Sequence, residues 1–236
     1  MLKTIIFDLD GTLLPLDMEK FMHIYFKEMG MAFHDMIEPK NLVDSVWKAT
    51  DVMVSNTEHR TNEEVFMEAF EKLIDGDLET YKTRFDEFYD KGFLKVKESV
   101  SSMPLMRETV ELLKQKGYEV VIATNPMFPR KAILHRVAWA GFKESDFSYI
   151  TCYENNHYCK PQIQFYEEVL REIGRTPKEC MMVGNDVEED LVAGKLGMET
   201  YLITDHIIKR CEEEPCCTYQ GSYEDFYKFV ESLKTI

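Results

Sequence analysis

The spacing of apolar residues changes twice along the chain, near residues 16 and 102. Leu2 to Phe7 is a short, β-branched apolar run followed directly by acidic residues, which predicts a buried strand. From Asp17 to about Lys97, apolar residues recur at steps of three and four with no strand pattern between them. This spacing predicts four helices packed as a compact helical subdomain. Their predicted starts are Asp17, Pro39, Thr61 or Asn62, and Asp77.

After Ser102, helical and strand patterns alternate. Helices are predicted at Leu105 to Gly117, Pro129 to Ala140, Pro161 to Gly174 and Val187 to Leu196. Strands are predicted at Tyr118 to Ala123, Tyr149 to Cys152, Cys180 to Val183 and, as the last one, Glu199 to Ile203. Strands that alternate with helices of this length form a parallel sheet covered on both faces. We therefore predict an α/β fold with a Rossmann-like core of residues 1–15 and 102–236 and an all-helical insertion of residues 16–101.

Composition and charge exclude several classes of protein. The 236 residues are 44% hydrophobic and 30% charged, which is typical of a globular chain with a large core. The 43 acidic residues outnumber the 28 basic ones, so the formal net charge is −15. A chain of this charge lacks the basic face that nucleic acids and anionic membranes require. A small phosphorylated partner is compatible, because a bound cation and a few lysines reverse the field within one cleft.

The sequence favours a cytoplasmic protein. No apolar stretch approaches the roughly 20 residues that span a bilayer, and Asp8 and Asp10 interrupt any apolar signal segment. The six cysteines show no regular disulfide framework, as expected where thiols stay reduced. A soft-metal site between Cys211 and Cys217 is a minor alternative, because the CxxC spacing of such sites is missing.

Polar residues cluster where the predicted strands end. One strand runs into Asp8-Leu9-Asp10-Gly11-Thr12, a later one into Thr124-Asn125, and another into Gly184-Asn185-Asp186, while Lys160 precedes a predicted helix. In open α/β sheets, ligands bind in the crevice at the carboxyl ends of the strands. These side chains are therefore predicted to converge at one rim of the sheet.

The acidic residues at this rim suit metal-assisted chemistry on phosphorus. Alternate residues of an extended segment point the same way, so Asp8 and Asp10 are both expected to face the crevice. Two close carboxylates repel unless a cation lies between them. With Asp186 and Asp190 they form a pocket of hard oxygens suited to Mg²⁺. A carboxylate is also a competent nucleophile toward phosphorus. Gly11 lets the backbone turn sharply and present amides to an anion.

Each motif taken alone also has a purely structural interpretation. Asp-Leu-Asp-Gly is a common turn composition, and Thr124 alone is most simply a turn residue. Gly184 to Asp186 has the composition of a helix cap, and a lone lysine before proline is usually solvated. A calcium loop of the EF-hand type is excluded, because the glycine falls at position 4 instead of 6 and a strand precedes it. The order and location of the motifs together favour a functional site.

The combination of motifs resembles the haloacid dehalogenase-like superfamily of phosphohydrolases. The resemblance covers essentially the whole chain, and its motifs are DLDGTLL at Asp8 to Leu14, the strand-ending Thr124, Lys160, and VGNDVEED at Val183 to Asp190. It implies that Asp8 is the nucleophile and that Asp10 is the general acid and base. It also implies that Thr124 hydrogen-bonds the phosphoryl oxygens and that Lys160 neutralises charge on the phosphoryl group and Asp8.

The same resemblance implies a metal ion and a set of substrate contacts. Mg²⁺ would be held by Asp8, the backbone carbonyl of Asp10, and Asp186. Asp190 would bind the ion through water or orient Lys160. The residues expected to contact substrate are Gly11, Thr12, Thr124, Asn125 and Lys160.

The fourth motif departs from the pattern of many relatives. This chain has Asn185 between Gly184 and Asp186, where many relatives read Gly-Asp directly. Asp186 and Asp190 therefore both stay open as the inner-sphere metal ligand. The spacing of four residues between them is retained and favours Asp186.

Asp10 and the helical insertion indicate which reaction of the superfamily is expected and what covers the site. The dehalogenases of the superfamily lack an acid at the position of Asp10, because a halide leaving group needs no proton. The acid therefore favours phosphate esters. The insertion of residues 16–101 falls where the superfamily carries its C1-type cap, a lid that closes over the site and excludes water.

Three functions are compatible with these motifs. The preferred hypothesis is a Mg²⁺-dependent phosphatase that acts on a small phosphorylated metabolite. The alternatives are a phosphomutase that uses the same aspartyl phosphate and a non-catalytic binding protein on the same fold. The identity of the substrate, and the choice between a monomer and a homodimer, stay open at the level of sequence.

Overall fold

A computed structural model describes residues 1–210, 212 and 214–236. The described residues form a five-stranded parallel sheet with the order β2-β1-β3-β4-β5. The strands are β1 (Thr4–Phe7), β2 (Glu119–Ile122), β3 (Cys180–Gly184), β4 (Glu199–Ile203) and β5 (Tyr219–Gly221). All neighbouring strands pair in parallel, as the alternation of helices and strands predicted.

The central strands are continuous apolar runs because both faces of the sheet are covered. Ile5 of β1 pairs with Val120 of β2 on one side and with Met181 of β3 on the other. Successive side chains of β1 point to opposite faces of the sheet, so Ile5 belongs to one apolar cluster and Ile6 to another. Strands buried on two faces lose the alternation of polar and apolar residues and read as unbroken hydrophobic segments.

Helices lie in the connections from β1 to β4, and one more follows β5. The helices are α1 (Met18–Ala32), α2 (Pro39–Ser55), α3 (Asn62–Glu71), α4 (Leu78–Asp90), α5 (Pro104–Gln115), α6 (Arg130–Trp139), α7 (Ile163–Glu172) and α8 (Tyr223–Ser232). Short 3₁₀ helices lie at Gly92–Ser99, Glu144–Asp146, Pro177–Glu179 and Leu191–Leu196. The longest described helix, α2, has 17 residues, and no described helix is long and apolar enough to cross a bilayer.

Side-chain caps fix the starts of three of the inserted helices. The side chains of Asp17, Thr61 and Asp77 accept hydrogen bonds from the third backbone amide of α1, α3 and α4. Thr61, and not Asn62, is therefore the cap of α3, and it forms a reciprocal capping box with Glu64. Asn62 is instead fully buried and donates to the Pro126 carbonyl at 3.1 Å, which ties α3 to the segment that follows β2.

The helices α1 to α4 share one apolar cluster, distinct from the two clusters on the faces of the sheet. The chain enters and leaves this region through two adjacent segments. The amide of Asp17 donates to the Ser99 carbonyl at 3.0 Å, and the amide of Ser101 donates to the Pro15 carbonyl at 3.0 Å. The contacts lie at the two predicted junctions of the insertion, and the division into core and cap stays a prediction.

Several predicted elements differ from the structure. Glu199–Ile203 is not the last strand, because β5 and α8 follow it. Residues 187–190 form turns and only Leu191–Leu196 is helical, as a 3₁₀ helix. The segment Tyr149 to Cys152 contributes a single bridge, Ile150 with Ile122, in place of a strand. The minor alternative of a soft-metal site between Cys211 and Cys217 involves Cys211, which lies outside the described residues.

The carboxyl-terminal helix α8 is part of the main core. Phe226 is fully buried, and its ring contacts Phe7 of β1 edge to face, with ring centroids 5.9 Å apart. At the end of the helix, the Lys116 ammonium donates to three backbone carbonyls, those of Val230, Glu231 and Leu233. Both contacts hold α8 against the core, although the spacing of apolar residues did not predict this helix.

We predict that Phe226→Ala lowers the free energy of unfolding by about 3–5 kcal/mol, because truncation of a fully buried ring leaves a cavity under β1. Urea unfolding monitored by circular dichroism measures the change. The exposed Lys228 on the same helix provides the control, since Lys228→Ala should stay within about 0.5 kcal/mol of the parent. Equal effects of the two substitutions would contradict the placement of α8 in the core.

Candidate active site

The predicted polar residues meet at the carboxyl ends of three adjacent strands. β1 leads into Asp8 and Asp10, β2 into Thr124, and β3 into Asp186 and Asp190. Since β2, β1 and β3 are neighbours in the sheet, their ends lie side by side. All five residues line one cavity of about 950 Å³, which extends from the sheet to the inserted helices.

Lys160 is the charged centre of this rim. Its side chain is 1% exposed, and its ammonium donates to Asp8 Oδ1 at 2.9 Å and to Asp190 Oδ1 at 2.7 Å. Burial by itself would lower the pKa of Lys160. The attraction of Asp190 and then of Asp8 outweighs it, so the pKa lies well above its ordinary value. The ammonium therefore stays charged and links the end of β1 to the segment after β3.

The two carboxylates beside Lys160 are both buried, and burial raises the pKa of each. The pKa of Asp190 rises to about 6, and that of Asp8 also rises, while the Lys160 ammonium opposes both shifts. Asp190 is held at both oxygens, because Oδ2 accepts from the Asp186 amide at 2.9 Å. The hydrogen bond between Asp190 and Lys160 is the contact that one of its two expected roles, the orientation of Lys160, requires, and the choice between the roles stays a prediction.

Asp186 faces a different cation. Arg210 contacts both of its carboxylate oxygens, at 2.9 Å to Oδ1 and 2.8 Å to Oδ2. Oδ1 also accepts from the amides of Glu188 and Glu189, both at 3.0 Å, which fixes the turn after β3. The Arg210 side chain is 55% exposed, so it approaches Asp186 from the solvent side. Nothing in the sequence motifs identified Arg210.

Asp10 pairs with a buried arginine. The guanidinium of Arg136, on α6, contacts Asp10 Oδ2 and lies over the Phe128 ring, 4.7 Å from its centroid. Within the described residues, Asp10 Oδ1 and the second terminal nitrogen of Arg136 are buried without a hydrogen-bond partner. Sequence reasoning missed Arg136. The available signal was its position three residues after Ile133 and one before Val137, on the apolar face of the helix.

Asn125 and Thr124 complete the rim between β2 and Lys160. The Asn125 side chain accepts from the Lys160 amide at 3.2 Å and donates to Glu189 Oε2 at 3.1 Å. Burial raises the pKa of Glu189 to about 7. The Thr124 side chain is buried beside the cavity, and its carbonyl accepts from the Thr151 hydroxyl at 2.6 Å.

Gly11 and Thr12 support the rim and are not among the residues that line the cavity. The Thr12 hydroxyl donates to Asn185 Oδ1 at 3.0 Å. Gly11 has φ +84°, and a Cβ there would lie 2.3 Å from Asn185 Nδ2. The Tyr223 hydroxyl of α8 donates to the Gly11 carbonyl at 2.7 Å. Asn185 thus joins the end of β3 to the turn after β1. The substrate contacts assigned to Gly11 and Thr12 stay a prediction.

Gly184 has no room for a side chain. A Cβ at this position would lie 2.0 Å from Asp190 Oδ2, whose carboxylate is held by Lys160 and by the Asp186 amide. Glycine at the end of β3 is therefore what lets the chain fold back and place Asp190 beside the strand.

We predict that Gly184→Ala destabilises the protein by about 2–4 kcal/mol, because the methyl group displaces a buried carboxylate and separates it from Lys160. Urea unfolding measures the change. Gly194→Ala is the matched control, since its Cβ would meet Thr200 Cγ2 at an ordinary 3.7 Å. Two equally stable variants would mean that Asp190 moves aside at no cost.

The pair of Asp10 and Arg136 allows a double-mutant test. Arg136→Met should cost about 3 kcal/mol, since it leaves a largely buried carboxylate without its cation. In an Asp10→Asn background the same substitution should cost at least 1 kcal/mol less, because no charge is stranded. Unfolding free energies of the four proteins give the coupling. A coupling below about 0.5 kcal/mol would show that the pair does not stabilise the fold.

Comparison with known proteins places these features in a family. The model of the haloacid dehalogenase-like hydrolases matches residues 2–197. Pyrophosphatase PpaX of Bacillus cereus (strain AH820) is 25% identical over 199 residues, which cover 82% of this chain and 79% of that protein.

Two solved structures share the fold across almost the entire chain. A HAD phosphatase from Thermococcus onnurineus superposes with a TM-score of 0.62 at 16% identity and covers 100% of both chains. L-2-haloacid dehalogenase from Xanthobacter autotrophicus superposes with a TM-score of 0.59 at 13% identity and covers 99% of this chain and 100% of its own. At identities this low, the superpositions show only that the fold is shared. The family match is independent of them and covers most of the sequence. The chain is a member of the haloacid dehalogenase-like hydrolases.

Proposed function

We propose that this hydrolase is a Mg²⁺-dependent phosphatase that cleaves a small phosphorylated metabolite through an aspartyl phosphate on Asp8. The observation that carries the proposal is the arrangement of Asp8. Its carboxylate lines the cavity and accepts a hydrogen bond from a buried lysine, while a second acid, Asp10, lines the same cavity two residues on.

Two steps account for hydrolysis. In the first, a carboxylate oxygen of Asp8 attacks phosphorus, the bond from phosphorus to the ester oxygen breaks, and Asp10 gives its proton to the departing alcohol. In the second, water attacks the phosphorus of the aspartyl phosphate while Asp10 takes a proton from that water. Inorganic phosphate leaves and the Asp8 carboxylate is regenerated. Proton transfer by such a carboxyl group contributes on the order of 10²- to 10⁴-fold in rate.

The other residues at the rim would neutralise the charge of the phosphoryl group and position it beside Asp8. Lys160 stays an ammonium beside Asp8, so it lowers the repulsion between the attacking carboxylate and the phosphoryl oxygens. Asp190 keeps the ammonium in place from the opposite side. Thr124 lines the cavity, and its proposed role is to donate its hydroxyl to a phosphoryl oxygen.

The donor set suits Mg²⁺. Among the described residues, no group of three or more His, Cys, Asp or Glu side chains is arranged to hold a metal ion. The proposed ligands are instead two carboxylates, Asp8 and Asp186, and the backbone carbonyl of Asp10, which are the hard oxygens that this ion prefers. Asp190 is buried, and both of its oxygens are held by Lys160 and the Asp186 amide, whereas the cation on Asp186, Arg210, is 55% exposed and open to displacement. Asp186 is therefore the better inner-sphere candidate. A bound Mg²⁺ would offset the negative charge of the phosphoryl group.

Asp10 favours phosphate chemistry over dehalogenation. A halide departs as an anion and needs no proton, whereas an alkoxide leaving group is stabilised by one. The acid at this position distinguishes the two reactions even though solved dehalogenases share the fold. In this structure Asp10 is paired with Arg136, so the general acid has to leave that pair when it serves the leaving oxygen.

Inorganic pyrophosphate is a second candidate substrate. It is favoured by the 25% identity to pyrophosphatase PpaX, whose alignment includes most of this chain. The same two steps would apply, with phosphate as the leaving group.

We expect the purified protein to release phosphate from p-nitrophenyl phosphate with Mg²⁺ and to lose that activity in EDTA. Asp8→Asn should lower kcat at least 10³-fold, because an amide does not attack phosphorus, and Asp10→Asn should lower it 10²- to 10⁴-fold. Assay of free phosphate measures both. Asp51→Asn, an exposed carboxylate on α2, is the control and should keep full activity.

The outcomes separate the candidate functions. Unchanged activity in Asp8→Asn would refute the assignment of the nucleophile. Conversion of a sugar phosphate to its isomer without phosphate release would identify a phosphomutase. Turnover of pyrophosphate at a higher kcat/KM than any ester would select the second candidate.

A further inference from the structure

The cavity beyond the carboxylates is far larger than the reacting group needs. Its volume of about 950 Å³ lies at the upper end of the range for sites that enclose a whole drug-sized ligand. At roughly 30 Å³ per molecule of liquid water, it has space for about thirty waters. A phosphoryl group with a short polar acid would leave most of this volume filled with water.

The wall of the cavity is apolar. Most lining residues of the inserted helices are apolar, beside a few polar ones such as Asp44 and Thr50, and they include the aromatic rings and methionines Phe21, Phe66, Met67, Phe85, Met22 and Tyr25. Water against such a wall is poorly satisfied, and its displacement by an apolar ligand is favourable. Methionine side chains also adapt to ligands of irregular shape.

Two tyrosines of this wall satisfy each other's hydroxyls. The hydroxyls of Tyr25 and Tyr89 are hydrogen-bonded to each other at 3.0 Å, deep between α1 and α4. Burial raises the pKa of Tyr89 to about 12, as expected in apolar surroundings. Two of the three phenols that line the cavity are thus already paired with each other, and the third is Tyr153.

The cations along the cavity lie beside the carboxylates or at the mouth. Arg136 contacts Asp10, and Arg210, whose side chain is 55% exposed, contacts Asp186 from the solvent side. Lys27 and Lys40, which also line the cavity, are exposed on its solvent side. Between the carboxylates and the mouth, the cavity wall offers a terminal phosphate or carboxylate of the substrate mainly aromatic rings and methionines.

The mouth exposes apolar side chains that a ligand would cover. Trp47 of α2 is 46% exposed, lines the cavity and packs on Phe26 with ring centroids 5.6 Å apart. Met18, at the start of α1, is also 46% exposed and lines the same opening. Exposed apolar groups that continue into an apolar cavity are typical of a binding surface.

We infer that the substrate is the monophosphate of a bulky apolar alcohol, whose phosphoryl group lies at Asp8 and whose aryl or alkyl portion fills the cavity between α1, α2 and α4. The inference rests on the proposed phosphatase activity for its reaction, and on the shape and chemistry of the cavity for its leaving group. Small polar phosphates are correspondingly poor substrates, since they forgo the burial of apolar surface.

A chain-length series tests the inference. The substrates are alkyl phosphates from butyl to octyl, kept below their micelle concentrations, with phosphoglycolate and pyrophosphate as polar competitors. Complete burial of one methylene group is equivalent to about fourfold in affinity. We expect kcat/KM to rise at least tenfold from butyl to octyl phosphate and to exceed both polar competitors. A flat or falling series, or preference for either polar competitor, overturns the inference.

Two variants of α2 locate the effect in the cavity. Trp47→Gln should reduce the preference for octyl over butyl phosphate at least threefold, because it replaces apolar lining with an amide at a half-exposed position. Val52→Gln is the matched control, since Val52 is 51% exposed on the same helix and does not line the cavity. Equal preferences in the two variants would contradict the assignment of this wall.

A binding measurement separates failure of the inference from failure of the proposed function. Octylphosphonate and methylphosphonate, which lack the ester bond, are titrated by calorimetry in the presence of Mg²⁺. Octylphosphonate should bind at least tenfold more tightly. If it does and no ester is hydrolysed, the phosphatase proposal fails and the apolar site stands. If esters are hydrolysed and the two phosphonates bind equally, the apolar site is refuted and the phosphatase proposal stands.

Discussion

The ammonium of Lys160 has to be paired wherever it is buried, and this requirement organises the rim of the sheet. Removal of an ammonium from water is costly unless carboxylates and hydrogen bonds replace the solvent. Its two partners, Asp8 and Asp190, follow different strands, and its backbone amide is held by the side chain of Asn125, which follows a third. The ends of β1, β2 and β3 therefore converge on one charge. Loss of either carboxylate would leave the buried Lys160 ammonium with a single carboxylate as its partner.

Two glycines at the rim are required because a Cβ at either position would overlap a neighbouring side chain. Asp190 can lie against the end of β3 only because Gly184 has no Cβ, and Asn185 can reach the turn after β1 only because Gly11 has none. The extra Asn185 of the fourth motif is thereby explained in structural terms, since it carries the hydrogen bond from Thr12. Charge pairing and close backbone approach thus act on the same few residues.

The sequence predicted the sheet, its inserted helices and the meeting of the strand-end residues, because each depends on local signals. Because β1 and β3 are buried on both faces, each can be recognised in the sequence as an apolar run. Side-chain caps mark the starts of α1, α3 and α4. The missed parts depend on contacts distant in sequence. Arg136 pairs with a residue 126 positions away, and Arg210 with one 24 positions away. Spacing along one helix or loop does not encode such partners. The short strand β5 has three mostly exposed residues and so shows no apolar pattern.

The hydrogen bond from Tyr223 to the Gly11 carbonyl joins positions 212 residues apart. It brings α8 to the turn that follows the proposed nucleophile. β1 likewise lies between β2 and β3, whose residues are synthesised more than a hundred positions later. Contacts of such separation form late in folding. A nascent chain therefore carries the complete nucleophile motif long before β2, β3 and α8 are present to hold it in place.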